Sequence, residues 1–179
     1  MKKEEVIQVD GFRPMQEKLD IKILILFILR RLPGEVEGET LANLALSDGA
    51  AGYFEYAECL AELEDSGHVE RKGRTYRITE KGSRNCEIVE SSLPYTLRSR
   101  LEKRLSPMAE GMRRRAMIGA KHQEVLAGCQ VCLTLSDEMG AIMELKMICG
   151  GEEHAEKIEA NFRDKAEDYY NRIVNMLSE

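Results

Sequence analysis

No stretch of this chain is apolar for long enough to cross a bilayer. Its longest apolar run, residues 23–29, falls far short of the ~20 residues a span needs. No uninterrupted apolar segment follows Met1, Lys2, Lys3, Glu4 and Glu5, so no signal peptide is expected. A cytoplasmic protein without a membrane partner is the expectation. The five cysteines are an odd count, which suits reduced thiols better than a disulfide framework. The three histidines, His68, His122 and His154, are scattered, and surface or turn positions are expected for them. There is no glycine loop to cradle phosphate, no nucleophile elbow and no paired-carboxylate motif. No enzyme and no cofactor are expected. Internal repeats and low-complexity tracts are also missing.

What is present is enough for a folded core. Of the 179 residues, 43% are hydrophobic and recur with clear periods, which excludes a disordered chain. The net charge of −6 argues against a generic polyanion binder. The charge is uneven, however: residues 93–123 hold eight basic groups against two acidic ones, a basic island between acidic flanks.

The most informative stretch is residues 53–82, YFEYAECLAELEDSGHVERKGRTYRITEKG. Phe54, Ala57, Leu60, Ala61 and Leu63 recur at helical spacing, with Glu55, Glu58, Glu62 and Glu64 assigned to the opposite face. Ser66 and Gly67 end the helix, because glycine adopts the left-handed terminal conformation without a Cβ penalty. Val69, Tyr76 and Ile78 then alternate with Glu70, Arg71, Thr75 and Arg77, the period of a half-buried hairpin turning at Lys72 and Gly73. A helix followed by a basic-tipped hairpin is the layout of a winged helix-turn-helix, which reads DNA with the helix and touches backbone with the wing.

Elsewhere, residues 1–17 read as a polar lead-in. Residues 19–32 are apolar nearly all round, as befits a central helix or a dimer interface, and Arg30 and Arg31 suit its last turn. Residues 39–46 form a short second helix, with a turn at Ser47, Asp48 and Gly49. Thr79 caps a helix running to about Glu90. Pro94 opens another, carrying the stripe Leu93, Leu97, Leu101 and Leu105 and ending at Ser106 and Pro107. Three extended runs follow, 113–121, 125–135 and 141–149. A long amphipathic helix closes the chain, with Ala155, Ile158, Phe162, Ala166, Tyr169, Ile173 and Leu177 on one stripe.

The candidate DNA-contacting residues are Tyr53 and Tyr56 on the reading helix and Arg71, Lys72, Arg74 and Arg77 on the wing. The bland alternative is a solvated hairpin tip kept soluble by its charges. The glutamates assigned outward on the helix would repel phosphate, so the wing and the island carry most of the expected affinity. That island (Arg98, Arg100, Arg104, Arg113, Arg114 and Arg115) lies on DNA, covers an acidic patch, or takes an anionic effector. Cys129 and Cys132 form a CxxC string, but on a strand they face opposite ways, so structural roles are expected and no metal site.

KLDIKILILFILRRL, YFEYAECLAELEDSGHVE, YRITEKG and LPYTLRSRL together resemble a bacterial winged-helix family catalogued as domain of unknown function 4364. The resemblance extends over the strands and the terminal helix. It implies a transcriptional regulator with a DNA-reading N-terminal half.

The expected fold is therefore α+β. A winged helix-turn-helix occupies residues 1–106, and a small antiparallel sheet with a long terminal helix occupies 107–179, for regulation or dimerisation. The expected function is a transcriptional regulator binding double-stranded DNA as a homodimer, with a small effector left open. The rival is a protein-interaction module that kept the scaffold and lost DNA binding.

Overall fold

The computed structural model describes residues 18–47 and 52–179. The lead-in at 1–17, and Asp48, Gly49, Ala50 and Ala51 of the turn before the third helix, lie outside the described residues. The described chain is mixed α/β, with six α-helices and two three-stranded antiparallel sheets. It divides into two compact units, Met1–Ala109 and Glu110–Glu179.

The first unit is built on α1 (Lys18–Arg31). Eight of its residues, Ile21 and Ile23 through Leu29, are buried, because neighbours pack on it from several sides. These are α2 (Gly38–Leu46), α3 (Tyr53–Asp65), α4 (Glu80–Val89) and the hairpin strand β3 (Thr75–Ile78). The helix is thus the unit's central helix, and apart from the exposed Leu19 its apolar side chains are covered within the chain. Arg30 and Arg31 do more than offset the helix dipole. Both donate to the carboxylate of Glu90 at 2.9 Å, and the Arg31 guanidinium lies 4.2 Å from the Phe27 ring centroid. Arg31's hydrogen bond, foremost among these contacts, holds the Glu90 carboxyl below its ordinary pKa.

The α3 helix is rotated from the sequence expectation. Its buried side is Tyr56, Cys59, Leu60 and Leu63, while Phe54, Ala57 and Ala61 are exposed. Glu58 and Glu62 lie beside α1, where they pair with Lys18 and Lys22. Counting every glutamate as outward-facing missed these partners, which come from a helix more than thirty residues away. Gly67, at φ 70°, ends the helix as expected, and His68 N–H closes back on the Leu63 carbonyl at 2.9 Å.

Strands β2 (Val69–Lys72) and β3 form the hairpin about Gly73 and Arg74, and the two-residue β1 (Val36–Glu37) pairs on the far side of β3. Thr79 caps α4, its hydroxyl accepting from Gly82 N–H at 3.1 Å. Gly82 has no room for a side chain: a Cβ would stand 2.2 Å from the His68 carbonyl oxygen.

Helix α5 (Tyr95–Ala116) does not stop at Ser106 and Pro107. It continues through the proline to Ala116, and the stripe Leu97, Leu101, Leu105 gains Ala109, all buried. Burial along an unbroken i, i+4 stripe outweighs the one hydrogen bond that the proline removes. That leucine face is therefore covered within the chain. The first extended run is shortened to match, β4 starting only at Ile118.

The second unit orders its strands β4 (Ile118–Val125), β5 (Gly128–Asp137) and β6 (Gly140–Cys149) in sequence, so β4 and β6 are edges. Cys129, Val131, Leu133 and Leu135 from the sheet meet Ala155, Phe162 and Ala166 from α6 (Glu152–Ser178) in one core. Burying side chains such as Val131 and Phe162 contributes roughly 1.5–3 kcal/mol each. The amphipathic stripe outruns its cover: Leu177 is 82% exposed. Cys129 is buried while Cys132 is half-buried on the other face, as the alternation requires, and Cys129 stands opposite Cys149 on β6.

His122 departs from the expectation of surface or turn positions, whereas His68 sits in the bend between α3 and β2 as expected. His122 on β4 is half-buried, and its Nδ1 lies 2.7 Å from the buried Glu159 carboxylate, which also accepts from Arg163 at 2.9 Å. Burial works against the charge on Glu159, yet His122 and Arg163 together hold its pKa below the ordinary value. His68 lies between the Ser66 hydroxyl and the Asn85 amide, each at 2.8 Å. The amide donates to His68 Nε2, which fixes a neutral ring with Nδ1–H toward Ser66. Burial, followed by the charges of Lys81 and Lys22, holds this ring below its usual pKa.

Candidate nucleic-acid interface

The hairpin's alternation divides the four expected cations by face. Pairing of Arg71 with Tyr76 and of Val69 with Ile78 puts those four on one side, and Glu70, Lys72, Thr75 and Arg77 on the other. The alternation expected from the sequence groups Arg71 with the second set. In the structure its guanidinium lies 5.7 Å from the Tyr76 ring centroid, and its Nε donates to the Gly73 carbonyl at 3.0 Å.

The second face is largely neutralised. Arg77 meets Glu70 at 2.7 Å and Lys72 meets Glu35 at 3.2 Å. Glu35 also accepts from the Thr75 hydroxyl at 2.9 Å. That bond first, and Lys72 second, hold the Glu35 carboxyl below its ordinary pKa. Such exposed pairs are weak, but they give both cations a resident acidic neighbour. Arg74, at the tip, is exposed, and its side chain has no hydrogen-bond or ion-pair partner among the described residues.

Arg71 and Tyr76 open onto a groove of about 560 Å³ walled by α2 and α3. Tyr53 and Tyr56 line it as well, so three of the six sequence-selected residues meet there. Arg71 and Arg74 share a second depression of about 330 Å³, into which Glu37 and Glu39 also face.

The two tyrosines are placed very differently. Tyr53 is 63% exposed and Tyr56 only 4%. Tyr56 is therefore a wall of the groove rather than a projecting reader, and burial pushes its phenol well above the usual pKa. Its hydroxyl is buried with no hydrogen-bond partner among the described residues. Beside Tyr53, Phe54 is 86% exposed and meets it edge-on at 6.1 Å between centroids. With Ala57 and Ala61, this puts an apolar strip on the open side of α3, beside the exposed Glu55 and the groove-lining Glu64.

The basic island is partly committed to its own surroundings. Arg98 bonds the Leu93 carbonyl, Arg104 the Ser47 hydroxyl and Arg115 the Gly111 carbonyl. Arg114 pairs with Glu167 of α6 at 2.9 Å. Among the described residues, no cluster of histidine, cysteine and carboxylate side chains is placed to hold a metal. No helix among them is long and apolar enough to cross a membrane.

These observations define a class: a two-unit mixed α/β chain with a helix–helix–hairpin N-terminal unit and a sheet-and-helix C-terminal unit. The chain belongs to the family described as Domain of unknown function (DUF4364), whose model matches residues 21–177. No curated protein and no solved structure matches it.

Proposed function

We propose that the N-terminal unit is a winged helix-turn-helix that binds double-stranded DNA, and that the protein is a transcriptional regulator working in the cytoplasm as a homodimer. One observation carries this reading. Tyr53 at the start of α3 and Arg71 on the hairpin line one groove, with Arg74 exposed at the tip beside it. A helix N-terminus and a cationic hairpin that share a surface match the way such domains straddle a groove edge and the adjoining phosphates.

In this reading Arg71 and Arg74 carry the phosphate contacts, and Tyr53 approaches the groove. Lys72 and Arg77 contribute less, because Glu35 and Glu70 already neutralise them. Tyr56 supports α3 from beneath. Pairing of Glu58 and Glu62 with Lys18 and Lys22 reduces the electrostatic objection to α3 near DNA, leaving Glu55 and Glu64 to oppose it. A single such unit covers few phosphates, so two-fold pairing on paired half-sites would multiply a modest affinity.

A second reading, a protein-docking module, is favoured by the exposed Tyr53 and Phe54 beside Ala57 and Ala61. Fluorescence anisotropy on mixed genomic duplexes separates the two. The DNA reading predicts binding that weakens steeply between ~50 and ~200 mM salt. Absence of binding even at the lowest salt would leave the docking module.

A further inference from the structure

We propose that the homodimer forms by antiparallel pairing of strand β6 with β6 of a second copy, about a two-fold axis at Leu145. The proposal specifies the interface of the dimer suggested above and does not depend on DNA contact. Residues 142–148 read Ile-Met-Glu-Leu-Lys-Met-Ile, a palindrome except at Glu144 and Lys146, where the two residues carry opposite charge. Centred on Leu145, antiparallel pairing places Met143 opposite the second copy's Met147 and Glu144 opposite its Lys146. Ile142 and Ile148 face one another at the ends. Every apolar residue meets an apolar one, and each carboxylate meets an ammonium. No one-residue shift of register keeps both matches.

The strand's setting fits this occupant. β6 is an edge, so one row of its backbone donors and acceptors has no strand beside it among the described residues. It exposes Ile142 at 42%, Met147 at 39% and Ile148 at 59%, an apolar edge of the kind solitary sheets avoid. The opposite edge is guarded differently: Arg163 bonds the Ala120 carbonyl on β4. No side chain of this unit bonds the β6 backbone between Ala141 and Ile148 among the described residues. The irregularity opposite Leu135 and Ser136 leaves Ile142 out of register with β5, so Met143 to Met147 is the regular stretch centred on the proposed axis.

The face beside β6 also lacks full cover. An apolar groove of about 300 Å³ runs between β6 and α6, lined by Leu145, Met147, Phe162, Tyr169 and Ile173 among others. A two-fold axis perpendicular to the sheet puts the same face of both copies on the same side. The two grooves then adjoin across the axis, and a six-stranded sheet replaces two exposed edges. An interface of this kind is isologous, so it closes at two copies and does not propagate.

Sedimentation equilibrium of the full chain, with charge reversals on the exposed Glu144 and Lys146, tests this. The wild type is expected as a dimer at micromolar concentration, twice the 20.3 kDa chain mass. Glu144→Lys or Lys146→Glu alone sets like charges opposite each other twice by symmetry, and should weaken dimerisation about tenfold or more. The double swap, Glu144→Lys with Lys146→Glu, restores both pairs and should return the dimer to near wild-type strength. A monomer at all concentrations overturns the proposal. So does a dimer indifferent to the single reversals, or one that the double swap fails to rescue. DNA binding measured on the same variants keeps the two proposals apart: a failed β6 interface with salt-dependent DNA binding intact rejects this inference alone.

Discussion

Two side chains of the first unit make opposite predictions about stability. Glu90 accepts from Arg30 and Arg31 in a half-buried setting, so Glu90→Gln should cost about 1–3 kcal/mol in urea unfolding. Its lowered carboxyl pKa means the folded state holds its proton more weakly than the unfolded chain does. The stabilisation is therefore present above the ordinary value of 4.5 and fades as pH falls through the folded pKa. Glu90→Gln should flatten that part of the acid limb in a melting-temperature series, and an unchanged limb would contradict the assignment. Tyr56 points the other way. Its buried hydroxyl has no partner among the described residues, so Tyr56→Phe should be neutral or stabilising by up to about 1 kcal/mol. A loss greater than that would mean the hydroxyl is satisfied. None of this was legible in the chain: Glu90 looked like an ordinary helix end, and Tyr56 like an exposed reader. The reason is that both arginines and the covering residues come from distant positions.

At the scale of elements, the sequence disclosed most where one local rule governed. Period-2 alternation located the hairpin, and Thr79 and Gly67 marked a helix start and a helix end, because each signal lies within a few residues. It disclosed less where two rules competed. Pro107 signals a helix end, yet Ala109 continues the stripe of Leu97, Leu101 and Leu105, and the stripe prevailed. That spacing was available in the sequence and outweighs the proline once burial is counted. Pro107 is exposed and inside the helix, so Pro107→Ala should stabilise the fold by about 1–3 kcal/mol. Destabilisation would show that the proline shapes a bend the fold requires. Gly82→Ala should act in reverse, since its methyl group meets the His68 carbonyl at 2.2 Å in rigid geometry. A loss above about 2 kcal/mol is expected from such a backbone clash, and a silent substitution would show that the α4 start can shift.

Over the whole molecule, the net charge of −6 concealed a more specific arrangement. Of the hairpin's cations, Lys72 and Arg77 face resident carboxylates, while Arg71 borders the groove walled by α2 and α3 and shares a second depression with Arg74. Composition could not show this division, because Glu35 reaches Lys72 only through the pairing of β1 and β3 with the hairpin. In the proposed DNA complex, affinity would reside with Arg71 and Arg74 and not with the hairpin's total charge. The decisive measurement is the salt slope of duplex binding for two double variants, Arg71→Ala with Arg74→Ala and Lys72→Ala with Arg77→Ala. The account predicts that the first pair lowers the magnitude of the log–log slope by about two and weakens all sequences alike. The second pair should change the slope by clearly less. Equal losses from both pairs, or a first pair that binds as tightly as wild type with the same slope, would contradict it.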